Sequence, residues 1–186
     1  YDRKFDCNEK KLGNYILKDK FESTHKKALN IVENNTKVLD IGCNTGELGN
    51  LLIEKKCEVT GIDYNVKQNQ KLKNYINHNL DDGLPEINYN QFDYILILDV
   101  IEHLKDPENF FAELKEKLKN NSKAKVLIST PNIAFFIMRF MLLFGKFNYG
   151  SRGILDKTHT RLFTFSSFSN LVRQSDYKVL KTFGVP

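Results

Sequence analysis

A chain of 186 residues, 41% of them apolar, suits one domain with a core of its own. Its 28 lysines and arginines against 23 acids give a formal charge of +5. The lysines are scattered among acids and asparagines, so there is no single basic stripe of the kind a dedicated nucleic-acid binder carries, and a solvated surface is the plainer reading.

Residues 1–22 are charged and lack the apolar core of a signal peptide, and no run approaches the ~18 apolar residues of a membrane span, so a cytoplasmic protein is expected. The first residue is Tyr1 rather than Met, which points to a trimmed chain. Cys7, Cys43 and Cys57 are odd in number and lack metal-ligand spacing, which favours reduced thiols over a disulfide framework or zinc. From about Ser23 to Glu33, Ala28, Leu29 and Val32 recur at helical spacing behind a Ser23 or Thr24 cap, predicting a helix within an N-terminal segment 1–35 that leans on the sheet. Lys37 to Ile41 reads as the first strand. Glu47 to Lys56 reads as a helix with Leu48, Leu51 and Leu52 on one face. Cys57 to Ile62 is the second strand, ending in Asp63; a polar helix near Asn65 to Lys73, a short strand from about Tyr75 to Asn79 and a loop from Leu80 to Pro85 follow.

Phe92 to Leu98 is apolar almost throughout, as in a strand covered on both faces, and ends in Asp99. Asp106 caps and Pro107 opens a helix carrying Phe111, Leu114 and Leu118. Val126 to Ser129 is the fifth strand, stopped by Pro131. Ile133 to Phe144 is an apolar run broken by Arg139, and a polar loop runs from Gly145 to Thr160. Ser166 to Gln174 reads as a last helix and Tyr177 to Phe183 as a last strand.

Strands alternating with helices in this way predict one α/β domain over residues 1–186, a doubly wound and mostly parallel sheet, with residues 132–165 lying over the acceptor side. In such sheets ligands bind beyond the carboxyl ends of the strands where the strand order reverses, here at strands one and four. Asp40, Gly42, Asp63 and Asp99 all fall at strand ends. Asp63 stands about 20 residues after Gly42, the spacing at which a carboxylate accepts hydrogen bonds from a ribose diol. The dinucleotide pattern fails, because Asn44 and Glu47 occupy its second and third glycine positions. Asp40 and Glu47 disfavour phosphate but suit an ammonium or sulfonium. A nucleoside joined to a cationic amino acid fits this loop best.

The stretch Val38-Leu39-Asp40-Ile41-Gly42-Cys43-Asn44-Thr45-Gly46-Glu47-Leu48-Gly49 resembles the cofactor motif of class I S-adenosylmethionine-dependent methyltransferases. Gly61-Ile62-Asp63, Phe92 to Pro107 and Leu127 to Asn132 follow in that family's order, so the resemblance covers nearly the whole chain and implies a Rossmann-like fold. It implies S-adenosylmethionine as cofactor, with Asp40, Gly42, Cys43, Asn44, Thr45 and Gly46 around the methionine part. Asp63, with Tyr64 next to it, would meet the ribose, and Leu98 to Val100, Asp99 and Val100 foremost, would form the inner wall. Asn79 stands where relatives commonly place an acid for the adenine amino group; its side-chain oxygen accepts the same bond, and the Leu80 N–H can donate to the ring. The family's sheet usually ends in an antiparallel strand paired to the preceding one. No sequence for it follows Pro186, so a piece of a longer protein is expected.

Methyl transfer from a sulfonium is an in-line displacement, so the protein positions an acceptor and takes its proton. His103, just past the fourth strand, and His159, in the loop before the last helix, are the candidate bases; a backbone-bonded helix-entry histidine and a solvated loop histidine are the bland readings of the same residues. The segment Asp99 to His103 also resembles the Glu-x-x-Glu-His ligand set of metal-dependent small-RNA 2′-O-methyltransferases. That resemblance implies a divalent ion on Asp99, Glu102, His103 and His159, although similar acid-histidine segments in small-molecule enzymes make a metal-free site the simpler expectation. The run 133–144 is too short to span a bilayer; it packs on the core or a second subunit, caps an apolar acceptor pocket, or meets a membrane surface. The expected activity is methyl transfer to an oxygen, less readily nitrogen or carbon, of a small or carrier-linked acceptor. The rivals are a metal-assisted RNA 2′-O-methyltransferase and a non-catalytic nucleoside-binding scaffold of the same fold.

Overall fold

The computed structural model describes residues 22–64, 72 and 74–185. Cys7 and the expected helix near Asn65 to Lys73, apart from Leu72, lie outside the described residues. The strands β1 (Lys37–Ile41), β2 (Glu58–Asp63), β3 (Asn74–Asn77), β4 (Tyr94–Leu98) and β5 (Lys125–Ser129) pair in the order β3-β2-β1-β4-β5, each pairing parallel. Parallel neighbours require crossovers, and two of these are the helices α2 (Glu47–Glu54) and α3 (Pro107–Lys117). The remaining helices are α1 (Thr24–Ile31), α4 (Phe136–Leu143) and α5 (Phe165–Gln174).

Helix starts follow local chemistry. The Ser23 side chain accepts from the Lys26 N–H at α1, and Asp106 accepts from the Asn109 N–H at 2.9 Å ahead of Pro107 in α3. Thr164 and Ser167 cap α5 reciprocally. β4 is apolar throughout, and β1 is apolar apart from the exposed Lys37 at its start and the buried Asp40, because both sheet faces are covered. Leu39, Ile41, Ile95 and Ile97 meet Phe110, Phe111 and Leu114 on one face, while Val38 and Leu96 meet Ala28, Val32, Leu48 and Leu52 on the other. Each fully buried aliphatic side chain contributes about 1.5–3 kcal/mol, so these two clusters hold the strand ends in fixed register. Cys43 and Cys57 are buried free thiols.

The expected last strand, Tyr177 to Phe183, does not form. After α5 the chain turns at Asp176 (φ 62°), and residues 177–185 have no regular structure. Tyr177 is anchored, its hydroxyl donating to Phe111 O at 3.1 Å, while Leu180 and Phe183 are exposed. Alternating apolar residues become a strand only where another backbone supplies the ladder, and none among the described residues does so here. Among the described residues no helix is long and apolar enough to cross a membrane.

Candidate cofactor and acceptor site

Strand order reverses between β1 and β4, the place where, in open sheets of this kind, the loops leaving the carboxyl ends diverge around a crevice. The loop after β1 is a tight reversal in which Gly42 (φ 76°), Asn44 (48°) and Gly46 (74°) are left-handed. The Gly42 and Cys43 N–H groups both donate to Ile62 O, at 2.8 and 3.1 Å, which pins the loop to the end of β2. A Cβ placed on Gly42 would lie 2.3 Å from Val100 Cγ2, so this glycine lets the cofactor loop and the inner wall touch. Asp63 ends β2 and accepts the Asn44 N–H at 2.8 Å. A carboxylate has about four acceptor directions, so this bond leaves room for a diol.

Asp40 lies beneath the loop, only 4% exposed, and burial followed by the charge of Asp63 pushes its carboxyl up to about 7. Burial, then Asp40 and Asp63, push the Cys43 thiol far above its ordinary range, so Cys43 is a protonated packing residue against Gly61 rather than a nucleophile. Thr45 donates to Glu47 at 3.1 Å, and Tyr64 is exposed next to Asp63. Asn79 has a job of its own: its side-chain oxygen accepts the Asp81 N–H at 3.1 Å and starts the 3-10 turn Leu80–Asp82. One lone pair remains on that oxygen for an adenine amino group.

Asp99 follows β4 with φ 55°, an unusual backbone conformation for a residue with a side chain. Its carboxylate accepts Ser129 Oγ at 2.7 Å and Thr24 Oγ1 at 3.1 Å. Thr24 sits on α1, as does the half-buried His25, whose pKa is lowered by burial while Asp99 and Glu47 oppose the shift. The start of α1 is thus tied to the carboxyl end of β4 and adds two polar side chains there, Thr24, which the sequence offered only as a possible cap, and His25, which it did not single out. Their only sequence signal is the position beside the Ser23 cap.

A second group gathers past β4. The 3-10 turn Ile101–His103 carries Glu102, 2% exposed, with no hydrogen-bond partner on either carboxylate oxygen. Burial, and after it the charge of Asp99, raise the Glu102 carboxyl to about 7 against the opposing pull of its own backbone N–H, the nearby Thr130 hydroxyl and the charge of His159. Thr160 N and Arg161 N donate to the Glu102 backbone oxygen at 2.8 and 3.1 Å, which fastens the loop before α5 over this turn. His103 and His159 meet edge to face with centroids 4.8 Å apart. His103 Nδ1 lies 3.2 Å from Thr158 O and His159 Nδ1 2.9 Å from Ile154 O. A carbonyl only accepts, so both Nδ1 atoms donate, and in the neutral rings both Nε2 atoms present lone pairs. One ligand atom each from Glu102, His103 and His159 lies within 4.8 Å of the others. Asp99, expected in the same set, stays outside it because Ser129 and Thr24 hold its oxygens.

Residues 14–182 match the family described as methyltransferase domain. The chain is 31% identical over 123 residues to a ubiquinone biosynthesis O-methyltransferase of Idiomarina loihiensis, covering 56% of this chain and 48% of that protein. A ubiquinone biosynthesis O-methyltransferase of Pelagibacter ubique is 32% identical over 114 residues, covering 57% and 45%. The chain therefore spans about half the length of the curated relatives it matches. Among solved structures, the 1,6-didemethyltoxoflavin-N1-methyltransferase of Burkholderia thailandensis, bound to 1,6-didemethyltoxoflavin and S-adenosylhomocysteine, superposes with a TM-score of 0.63 at 16% identity, over 89% of this chain and 72% of that one. The small RNA methyltransferase HEN1 superposes at 0.58 and 20% identity, over 81% and 20%. At these identities the solved structures speak to the fold alone. The family match, running through nearly the whole chain and through the glycine cradle at the sheet's switch point, places this protein among the class I S-adenosylmethionine-dependent methyltransferases.

Proposed function

We propose that this chain transfers a methyl group from S-adenosylmethionine to an oxygen of a small or carrier-linked acceptor. The observation that carries the reading is the pair of Nε2 lone pairs on His103 and His159 beside the unpartnered Glu102 carboxyl, one strand end away from the glycine cradle. The names of the curated relatives support an oxygen acceptor and a small molecule. The cradle fits the cofactor by its chemistry: Gly42 has no room for a side chain, and Asp40 and Asp63 supply the acceptors that an amino-acid ammonium and a ribose diol require.

When bound, S-adenosylmethionine supplies an electrophilic methyl on a sulfonium. The chain's part is alignment and proton removal. Asp63 and the Gly42 to Gly46 backbone orient the nucleoside and amino-acid ends. His159, its ring fixed by Ile154 O, would receive the acceptor's hydroxyl proton on Nε2 and so make the acceptor oxygen the better nucleophile. Glu102, ionising near pH 7, stabilises the imidazolium that results.

Calorimetric titration with S-adenosylhomocysteine tests the cofactor half. Asp63→Ala is expected to weaken binding ten- to a hundredfold, the loss of one or two charge-assisted hydrogen bonds. Absence of saturable heat with the folded wild type would overturn the assignment. Transfer of labelled methyl to a panel of phenols, carboxylates and amines tests the acceptor half. Label confined to amines would refute the oxygen reading, and binding without transfer to anything would favour the scaffold.

The convergence of Glu102, His103 and His159 also favours a second reading, in which the two Nε2 atoms and the Glu102 carboxylate hold a divalent ion beside the acceptor. His159→Asn is expected to lower kcat about a hundredfold with cofactor binding unchanged. Treatment with a chelator separates the readings. Activity that survives it supports the histidine base; activity lost to it and restored by added magnesium or manganese supports the ion.

A further inference from the structure

α4 is the most exposed apolar element among the described residues. Leu143 is 76%, Phe136 68% and Phe140 63% exposed, and Ile137, Leu142, Phe144, Phe147 and Tyr149 are exposed as well. In this helix only Met138 is buried, so one side chain pins it to the body. The rings pack on one another at the surface instead of entering the core: Phe140 against Phe144 at 4.9 Å and Phe147 against Tyr149 at 5.5 Å. A patch of this kind on a folded protein marks an interaction site.

The charge around the patch is one-sided. Residues 117–155 contain none of the 23 acids and seven of the 28 cations. Three of those cations, Arg139, Lys146 and Arg152, stand in or next to the patch; they are exposed and join no ion pair described in the structure. The turn after α4 sets this arrangement. Gly145 (φ 65°) donates to Leu142 O at 2.9 Å and Lys146 to Met141 O at 2.9 Å, closing the helix so that Lys146 sits at its end and the aromatic loop folds back. An eight-residue helix is about 12 Å long, suited to lie in an interface and not to cross it. Exposed phenylalanines and leucines ringed by unpaired cations match the apolar boundary and negative surface of an anionic bilayer.

We infer that α4 and the loop to Arg152 form a docking surface for an anionic lipid bilayer. The surface lies at the carboxyl edge of the sheet. Asn132 and Phe163 bridge at the start of this segment, and the loop that leaves α4 carries Ile154, whose carbonyl fixes His159. Docking there brings the acceptor side of the crevice toward the lipid. The inference stands independently of the methyl acceptor, because vesicle binding needs no transfer.

Sedimentation of the whole chain with vesicles of phosphatidylcholine alone, and with vesicles containing about one-third phosphatidylglycerol, tests it. The wild type is expected to bind the anionic vesicles more tightly. Phe140→Asp with Leu143→Asp, both at exposed positions, is expected to lose binding at least tenfold, and Arg139→Glu with Lys146→Glu to lose about fivefold or more for each cation on anionic vesicles only. Unchanged affinity for S-adenosylhomocysteine in both variants shows that they are folded. Failure of the wild type to bind either vesicle overturns the proposal, as does equal vesicle binding by the Phe140→Asp, Leu143→Asp variant. A lipid-free dimer that Leu143→Asp converts to monomer would also overturn it and assign the face to a second copy.

Discussion

Replacing Gly42 by alanine is expected to destabilise the fold by about 2–5 kcal/mol and to abolish measurable cofactor binding. Two terms add. A residue with a side chain costs about 1–2 kcal/mol at φ 76°. Forcing Cβ into a site where Val100 Cγ2 stands 2.3 Å away costs about 1–3 kcal/mol more, because the β1 and β4 ends are locked by the clusters beneath them. For a chain of 186 residues this corresponds to a fall in melting temperature of roughly 4–20 °C. Combining Gly42→Ala with Val100→Ala relieves the contact but not the backbone strain, so the double variant is expected to recover part of the loss, a non-additivity visible in denaturant titration. A single variant with unchanged melting temperature and unchanged affinity for S-adenosylhomocysteine would show that the loop and the inner wall do not constrain each other.

Asp40→Asn is expected to separate stability from binding. The Asp40 carboxyl has its pKa raised from 3.8 to about 7, chiefly by burial and then by the Asp63 charge. Between those values the folded state binds more protons than the unfolded chain, so stability falls as pH rises from about 4 to about 7 and then levels. A shift of this size corresponds to about 4 kcal/mol. The amide that replaces the carboxyl cannot ionise, so the variant is expected to lose this part of the decline and to gain on the wild type up to about pH 7, the gain then holding to pH 8. Cofactor affinity should move the other way. In the wild type it should rise through pH 7 as the carboxylate forms opposite the ligand's ammonium, whereas the variant should bind weakly at every pH. Urea titrations at pH 4.5 and pH 8, paired with calorimetry at the same values, measure both. A variant whose stability changes with pH as steeply as the wild type's would mean that Asp40 does not carry the effect.

The central strands were legible in the sequence because parallel strands buried on both faces must be apolar over their whole length, as Val38 to Ile41 and Tyr94 to Leu98 nearly are. The helix starts were legible because capping is local: Ser23 and Asp106 bond to groups three residues on. The apolar residues of Tyr177 to Phe183 read as a strand, and none formed. That pattern states what a segment would do beside a partner backbone and contains nothing about whether one is there. For the same reason Asn79 read only as an adenine acceptor. Its bond to the Asp81 N–H depends on the chain turning at Leu80.

Within the site, sequence by itself determined the cofactor class. The glycine positions of the first loop, the acids at the ends of β1 and β2 and their spacing are set by what a nucleoside with a cationic amino acid needs, and all lie within 25 residues of one another. Tertiary structure decided which of the later residues meet. Asp99, Glu102 and His103 are neighbours in the chain, yet the left-handed turn at Asp99 commits that carboxylate to Ser129 and Thr24, while the 3-10 turn after it buries Glu102. Backbone bonds from Thr160 and Arg161 to Glu102 then bring His159 from more than 50 residues away against His103. Contacts between residues far apart in the chain are fixed by packing and loop closure, which residue types and spacing do not encode one pair at a time.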